Sequence, residues 1–343
     1  MKAAFVLYDY FPYGGLQRDC IRIAQACQAR GVQVIIFCST WQGEKVPGLK
    51  VVTPVKKGLS RTTKNKHFVD FYLNAVRDNF DVVLGFNRLP GLDYYYAADS
   101  CFAEKAYKER SWLYRLTPRC KQFLAHERAI FGPQSKTVSM LISPMQKIQF
   151  ANHYATNAER IIELPPGIEK DRMAGSDAEQ LRKEFRQEFD VNENDYLVLQ
   201  LGSGFAVKGV DRSLRALASL PEDLKARIRF FLVGQDKPQA YLKLAKKLGL
   251  EENVTVFSGR DDVPRFLQGA DLLLHPAYRE SAGLVLVEAI VAGLPVLTTD
   301  TCGYAYHVEK AGAGQICASP FQQAELNKSL LQMLTAPDKK AMA

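Results

Sequence analysis

Glu280 and Glu288 bracket the run Ser281-Ala282-Gly283, and that spacing is where the chain offers most chemistry. The residues before it, Asp271-Leu272-Leu273-Leu274-His275-Pro276, read as a strand, so the small residues open a helix beyond the strand's carboxyl end. The first N–H groups of such a helix, at Gly283, Leu284 and Val285, lack partners within it and carry partial positive charge. They form an anion site that suits a diphosphate, and Gly283 lets a ligand approach the backbone closely. At about 3.6 residues per turn, Glu288 lies roughly a turn and a half into the helix and Glu280 just before it, so one ligand can meet both. A carboxylate accepts hydrogen bonds from a vicinal diol, so one Glu suits a ribose and the other a hexose hydroxyl. Glutamates near a helix start also serve simply to complement the helix dipole.

Strands must deliver these loops. Lys2 to Tyr8 reads as a buried strand, followed by a loop through Gly14-Gly15, a helix over Leu16 to Arg30 closed by Gly31, and a strand over Gln33 to Cys38. That order predicts a parallel sheet with ligands at the carboxyl ends of its strands. Asp81 to Phe86 and Thr137 to Ile142 extend the same half. The stiff run Leu164-Pro165-Pro166-Gly167 marks a boundary, giving domains 1–164 and 165–343. Strands over Tyr196–Leu201, Ile228–Val233, Asn253–Phe257, Asp271–His275 and Leu294–Thr298 repeat the alternation. Helices over Val210–Leu220 and Tyr241–Leu248, and others starting near Asp262 and Gly283, lie between them. The expected architecture is α/β, two Rossmann-like doubly wound domains facing a cleft.

With 343 residues and 47% hydrophobic content, each half has enough apolar material for its own core. No apolar run reaches the roughly 20 residues of a membrane span, and the N-terminus turns polar too soon for a signal peptide, so a cytoplasmic location is expected. The seven cysteines show no metal or disulfide spacing and read as reduced, buried thiols. A formal charge of +8 implies attraction to a polyanion: nucleic acid, an anionic membrane or a phosphorylated substrate. No Asp-x-Asp pair occurs and the five histidines are scattered, so no metal site is expected; His275 reads as a packed core residue.

The loop Gly202-Ser203-Gly204-Phe205-Ala206-Val207-Lys208-Gly209 follows a strand and opens a helix, but it lacks the third glycine of a dinucleotide fingerprint, which argues against a dehydrogenase. Asp19, one turn into the first helix, can accept a sugar hydroxyl.

The stretch from Glu280 to Glu288 resembles the E-x7-E signature of the retaining glycosyltransferases of the nucleotide-sugar family GT4. The runs Tyr10-Phe11-Pro12-Tyr13-Gly14-Gly15-Leu16-Gln17-Arg18-Asp19, Gly85-Phe86-Asn87-Arg88-Leu89-Pro90-Gly91-Leu92-Asp93 and Val233-Gly234-Gln235-Asp236-Lys237-Pro238 extend the likeness end to end. Within that family they resemble the lipopolysaccharide core glucosyltransferases of Gram-negative bacteria. The resemblance implies a GT-B fold, a UDP-sugar donor and transfer with retention. It further implies glucose or, as in some relatives, a hexosamine as the sugar, an inner-core heptose of lipopolysaccharide as acceptor, and no cofactor or metal. Lys208 then stabilises the departing diphosphate, although Val207 stands where many relatives carry an arginine. Glu280 positions the donor sugar and Glu288 the ribose. Gly14 and Gly15 approach the donor, Asp19 and Asp99 serve the sugars, and Arg260 meets the base. Plain alternatives stand beside these roles: an exposed lysine at a helix start, a tight turn at Gly14-Gly15, a turn-capping Asp99, and helix caps at Asp261 and Asp262. A UDP-sugar epimerase of the same fold and a non-catalytic, membrane-associated nucleotide-sugar-binding protein are the rival functions. Family members often end in a longer helix than the one expected to stop near Leu334.

Residues 102–131 mix cations with aromatics, a composition suited to anionic lipid head groups and to peripheral attachment on the cytoplasmic face of the inner membrane. A helical pair with its aromatics turned to the core fits the same residues. No nucleic-acid-binding signature accompanies the charge.

Overall fold

The computed structural model of the chain describes residues 1–12, 14–55, 57–76 and 79–336; Tyr13 of the Tyr10–Asp19 run and the tail 337–343 lie outside the described residues. It divides into two compact units, Met1–Pro165 and Pro166–Ala343.

The first unit runs β1 (Lys2–Tyr10), α1 (Gly15–Gln28), β2 (Gln33–Trp41), β3 (Lys50–Val52), α2 (Arg61–Val76), β4 (Val82–Gly85) and β5 (Tyr94–Ala97). It continues with α3 (Phe102–Glu104), a π-helical turn over Lys105–Glu109, α4 (Trp112–Leu116), α5 (Pro118–Phe131), β6 (Val138–Leu141), α6 (Pro144–Tyr154) and β7 (Ile161–Glu163). Its seven strands form a parallel sheet in the order β3-β2-β1-β4-β5-β6-β7.

The second unit runs α7 (Ala178–Glu188), β8 (Tyr196–Leu201), α8 (Val210–Ala218), α9 (Glu222–Lys225), β9 (Ile228–Val233), α10 (Gln239–Lys247), β10 (Val254–Phe257) and α11 (Val263–Gly269). Then follow β11 (Leu272–His275), α12 (Leu284–Val291), β12 (Val296–Thr299), α13 (Ala305–Ala311), β13 (Gly314–Cys317) and α14 (Gln323–Thr335). Six parallel strands stand in the order β10-β9-β8-β11-β12-β13.

Continuous apolar runs make these central strands because helices cover both faces of each sheet. Along β1 and β2, Ala4, Val6, Ile35 and Phe37 enter one core cluster, whereas Ala3, Phe5, Leu7, Val34 and Ile36 enter the other. The second sheet divides the same way: Val198, Phe230, Leu232, Leu272 and Leu274 face one cluster, and Leu197, Leu199, Phe231, Val233 and Leu273 the opposite one. Each such Val, Leu, Ile or Phe side chain contributes about 1.5–3 kcal/mol on full burial, so register is fixed by both faces at once.

The strand orders place the chemistry. In each sheet the chain turns one way from the first strand and the other way from its neighbour, so β1/β4 and β8/β11 are the switch points whose carboxyl ends leave a crevice for a ligand.

Candidate functional site

At the switch point of the second unit, β8 runs into the loop Gly202–Gly209 and β11 into the loop Pro276–Gly283. The two loops are joined. Tyr278 N–H donates to Val207 O at 2.8 Å. Arg212 of α8 donates to the carbonyls of Pro276 and Ala277 at 3.2 Å each, and its guanidinium lies 3.6 Å from the ring centres of both Tyr278 and Phe321. Gly209 precedes α8 in a left-handed conformation (φ +72°), and a Cβ there would stand 2.1 Å from Pro276 O, so only glycine allows this approach. Thr299 and Thr301 hydroxyls each donate to Ala277 O at 2.8 Å. Glu280 is held by its backbone: its N–H donates to Thr301 O at 3.3 Å and its O accepts from Gly303 N–H at 3.1 Å.

This lacing brings Lys208 and Glu280 into an ion pair, with side chains 20% and 15% exposed. Burial pulls the Lys208 ammonium down to about 8. Behind Glu280 lies His275, fully buried, with Nε2 3.5 Å from Oε2 of the carboxylate. Burial, with the Lys208 charge adding to it, pulls the imidazole down to about 3, so the ring is neutral at physiological pH. Neither ring nitrogen has a hydrogen-bond partner among the described residues. His275 is thus buried as its apolar strand demands, yet it faces the charged pair rather than apolar core alone.

The helix after Glu280 starts at the position expected from the sequence, beside Gly283. Ser281 and Ala282 stay irregular, Gly283 is the left-handed N-cap (φ +83°), and α12 begins at Leu284. The physical reason is Gly283 itself, whose positive φ is incompatible with a helical turn. A Cβ on Gly283 would stand 3.1 Å from Glu280 Cγ, so the N-cap glycine is packed against the acidic side chain. The helix start at Leu284 and Val285 thus directly follows a glycine packed against Glu280. Glu288 is the fifth residue of α12, 12% exposed, and its Oε1 lies 3.6 Å from Nε of the buried Arg172.

In the Gly202–Gly209 loop, the N–H groups of Gly204 and Phe205 are directed at the Asp236 carboxylate, and those of Val207 and Lys208 at Gly204 O. The loop therefore offers a side chain, Lys208, rather than a glycine-rich amide cradle. Arg260 follows β10, the edge strand, and its guanidinium is gripped by Asp262 through two hydrogen bonds of 2.7 and 2.6 Å. Asp262 stands at the N-cap of α11 but makes no capping bond, because its carboxylate is committed to Arg260.

In the first unit, Gly14 is the N-cap of α1 in an extended conformation (φ −78°), and a Cβ on it would collide with Gln17 and Phe11 side chains; Gly15 has open space where a Cβ would be. The Asp19 carboxylate accepts from Tyr96 Oη–H at 2.9 Å, which ties α1 to β5. Asp99 lies just beyond β5 and accepts from Arg88 N–H, Tyr95 Oη–H and Asn87 Nδ2–H at 3.3–3.5 Å. Asn87 follows β4 and closes the β1/β4 switch point by accepting from Tyr8 N–H at 2.9 Å.

Three residues here, Arg172, Arg88 and Glu127, have no role assigned from sequence alone, and His275, read as a packed core residue, also faces the charged pair. Arg88 is buried, donates to Ser100 O at 2.7 Å, and lies 3.7 Å from both Asp99 and Glu127. Burial alone would lower its pKa, but Asp99 and Glu127 outweigh it and hold the guanidinium above its usual range. Glu127, 1% exposed, accepts from Phe102 N–H, Ala103 N–H and Tyr154 Oη–H at 2.7, 2.8 and 2.8 Å. It thereby seats the segment 102–131, from which Tyr107, Trp112, Leu113 and Leu116 project into solvent while Phe102, Cys120, Ile130 and Phe131 are buried. Arg115 lies 5.1 Å over the Tyr107 ring.

Among the described residues no helix is long and apolar enough to cross a membrane, and no three His, Cys, Asp or Glu residues cluster as metal ligands.

Comparison with known proteins identifies the family of the chain. The family model described as glycosyl transferases group 1 matches residues 182–343. The lipopolysaccharide glucosyltransferase WaaG of Escherichia coli K12 is 46% identical over 336 residues, 98% of this chain and 90% of its own length. The crystal structure of WaaG, a glycosyltransferase involved in lipopolysaccharide biosynthesis, superposes with a TM-score of 0.95 at 45% identity, covering 99% of this chain and 92% of that one. Anabaena HepE in complex with UDP and glucose shares the fold at a TM-score of 0.75 and 19% identity, over 100% of this chain and 92% of that one. Two parallel-sheet units of the GT-B type and a relative matched along nearly its whole length place the chain in the glycosyl transferases group 1 family, as a hexosyl-transferring enzyme.

Proposed function

We propose that this glycosyltransferase moves a hexose, glucose by default, from a UDP-sugar to an inner-core heptose of lipopolysaccharide with retention of anomeric configuration. The observation that carries the reading is the Lys208–Glu280 pair at the β8/β11 switch point, set beside the start of α12. The support for donor and acceptor class is the 46% identity to the lipopolysaccharide glucosyltransferase WaaG.

Lys208 and the Leu284 and Val285 N–H groups neutralise the diphosphate as the bond from the anomeric carbon to UDP oxygen breaks. The acceptor hydroxyl attacks from the face UDP leaves, and a UDP oxygen takes its proton, so no enzyme base is required. Glu280 holds the donor sugar, Glu288 the ribose, and Gly14 and Gly15 come near the donor. Asp19 accepts a hydroxyl of either sugar, Asp99 is the acceptor-side carboxylate, and Arg260 is the base contact once it exchanges part of its grip on Asp262. The segment 102–131 rests on the anionic cytoplasmic face of the inner membrane, where a phosphorylated acceptor and acidic lipid meet the net positive charge.

Purified protein incubated with UDP-glucose, UDP-galactose, UDP-GlcNAc and UDP-GalNAc, with and without truncated lipopolysaccharide, tests the reading. Hexose transfer that requires the acceptor supports it. Interconversion of free nucleotide sugars, or binding without turnover on any acceptor, overturns it.

A further inference from the structure

We propose that Arg172 is the positioning residue for Glu288, fixing the direction of that carboxylate so that it can grip a ribose diol. The inference rests on the reading of Glu288 given above.

Arg172 lies far from the E-x7-E stretch in the chain, in a single 3-10 turn over Lys170–Arg172 shortly after Pro165-Pro166-Gly167. A backbone bond joins its segment to α12, Ala174 N–H to Val291 O at 3.0 Å. The side chain is 7% exposed. Its Nε stands 3.6 Å from Glu288 Oε1 and 3.7 Å from Asp171 Oδ1. Asp171 is 57% exposed and its pull is screened by water, whereas Glu288 is 12% exposed, so Glu288 is the effective counter-charge.

Arg172 Nε and Nη1 are buried without a hydrogen-bond partner among the described residues. Buried guanidinium N–H groups left unmade are costly, so an arrangement that closes them onto a carboxylate is favoured. The 3.6 Å separation exceeds a charge-assisted hydrogen bond by less than about 1 Å, within the reach of a rotamer adjustment of Glu288. An ionised carboxylate has about four acceptor positions, enough to take N–H groups from behind and two hydroxyls in front. Arg172 then decides which oxygen of Glu288 faces the ligand. A purely structural ion pair predicts something different: loss of stability with no change in preference for a diol.

Calorimetric affinities of the full chain for UDP and for 2′,3′-dideoxy-UDP separate the two. The wild type is expected to prefer UDP. Arg172→Met is expected to weaken UDP binding at least about tenfold while leaving dideoxy-UDP within about twofold, as for a lost charge-assisted hydrogen-bond set. Arg172→Gln, which keeps a polar side chain in the slot, carries the same expectation and stands in if the Met variant does not fold. Arg172→Lys is expected to restore part of the preference. An unchanged preference in either neutral variant, or an equal loss for both ligands, overturns the inference. Glu288→Gln tests the underlying reading separately: if that variant still prefers UDP, Glu288 is not the ribose ligand, whatever Arg172 does.

Discussion

His275 Nε2 stands 3.5 Å from Glu280 Oε2, both atoms out of water, and the same carboxylate oxygen pairs with Lys208. The imidazole is held neutral by burial and by the Lys208 charge, so it carries one N–H. When Lys208 turns toward a diphosphate, Glu280 loses its counter-charge and the histidine N–H becomes its nearest buried donor. His275→Leu is therefore expected to lower kcat/KM for the donor about 10- to 150-fold, matching a lost hydrogen bond to a charged group of about 1.5–3 kcal/mol. His275→Gln, which keeps an N–H donor, should retain most of the activity. Steady-state kinetics of both variants, at matched melting temperature, decides it; a Leu variant as fast as wild type would end the argument.

Lys208 supplies a pH dependence with a definite sign. Its ammonium is protonated below about 8 and neutral above, and only the charged form can stabilise a departing diphosphate. The kcat/KM for the donor is expected to fall as pH rises through about 8. Stability moves oppositely: the folded pKa of about 8 lies below the ordinary lysine value of 10.5, so the unfolded chain binds more protons between them and folding strengthens as pH rises. Loss of the Lys208 proton over that range does not by itself unfold the chain, and a melting curve at each pH separates a lost charge from lost structure. In Lys208→Arg the alkaline limb should vanish, because guanidinium stays charged. An unmoved limb in that variant assigns the titration to another group.

Glu127 anchors the start of the 102–131 segment in the first unit. Its carboxylate satisfies two backbone N–H groups and the Tyr154 hydroxyl and balances the Arg88 guanidinium, all out of water. Glu127→Ala leaves those donors and a buried cation uncompensated, for an expected loss of about 3–5 kcal/mol. Urea denaturation followed by circular dichroism measures it, and a loss below about 1 kcal/mol would show that the network relaxes around the gap.

The same segment carries the membrane prediction. Five cations, Lys105, Lys108, Arg115, Arg119 and Lys121, contribute around 1 kcal/mol each near an anionic surface, less for Lys108, whose ammonium sits 2.6 Å from Glu104. Changing all five to Ser should weaken co-sedimentation with phosphatidylglycerol vesicles more than about 100-fold and leave phosphatidylcholine vesicles unaffected. Equal sedimentation of variant and wild type removes the surface from the mechanism.

Legibility in the sequence followed burial. β1, β8, β9 and β11 are covered on both faces, so their apolar runs are continuous and readable. The edge strands β3, β7 and β13, of three or four residues, are too short to show a period, and the internal β5 is a tyrosine run without the aliphatic signature. The E-x7-E spacing marks the Glu280 loop and Gly209 the Lys208 loop, but their meeting depends on β8 and β11 being neighbours, a consequence of crossover order that local patterns do not carry. Arg172 behind Glu288 and Arg88 between Asp99 and Glu127 are long-range partnerships. Each reads locally as one more surface arginine, and only the fold removes it from water.

Val207 offers a gain-of-function test of the diphosphate site. It is 40% exposed, adjoins Lys208, and its carbonyl accepts from Tyr278 N–H at 2.8 Å, so a longer side chain here projects from the junction of the two site loops. A guanidinium added at this point can form a charge-assisted bond to phosphate worth about 1.5–3 kcal/mol. Val207→Arg is expected to tighten UDP binding about 10- to 150-fold and to leave uridine binding unchanged, since uridine lacks the phosphates. Turnover should not rise in step, because a nucleotide held more firmly before and after transfer gains nothing in the transition state. Calorimetry with UDP and uridine measures both arms. Equal gains for the two ligands, or none for UDP, would mean that the phosphates lie away from the Lys208 loop.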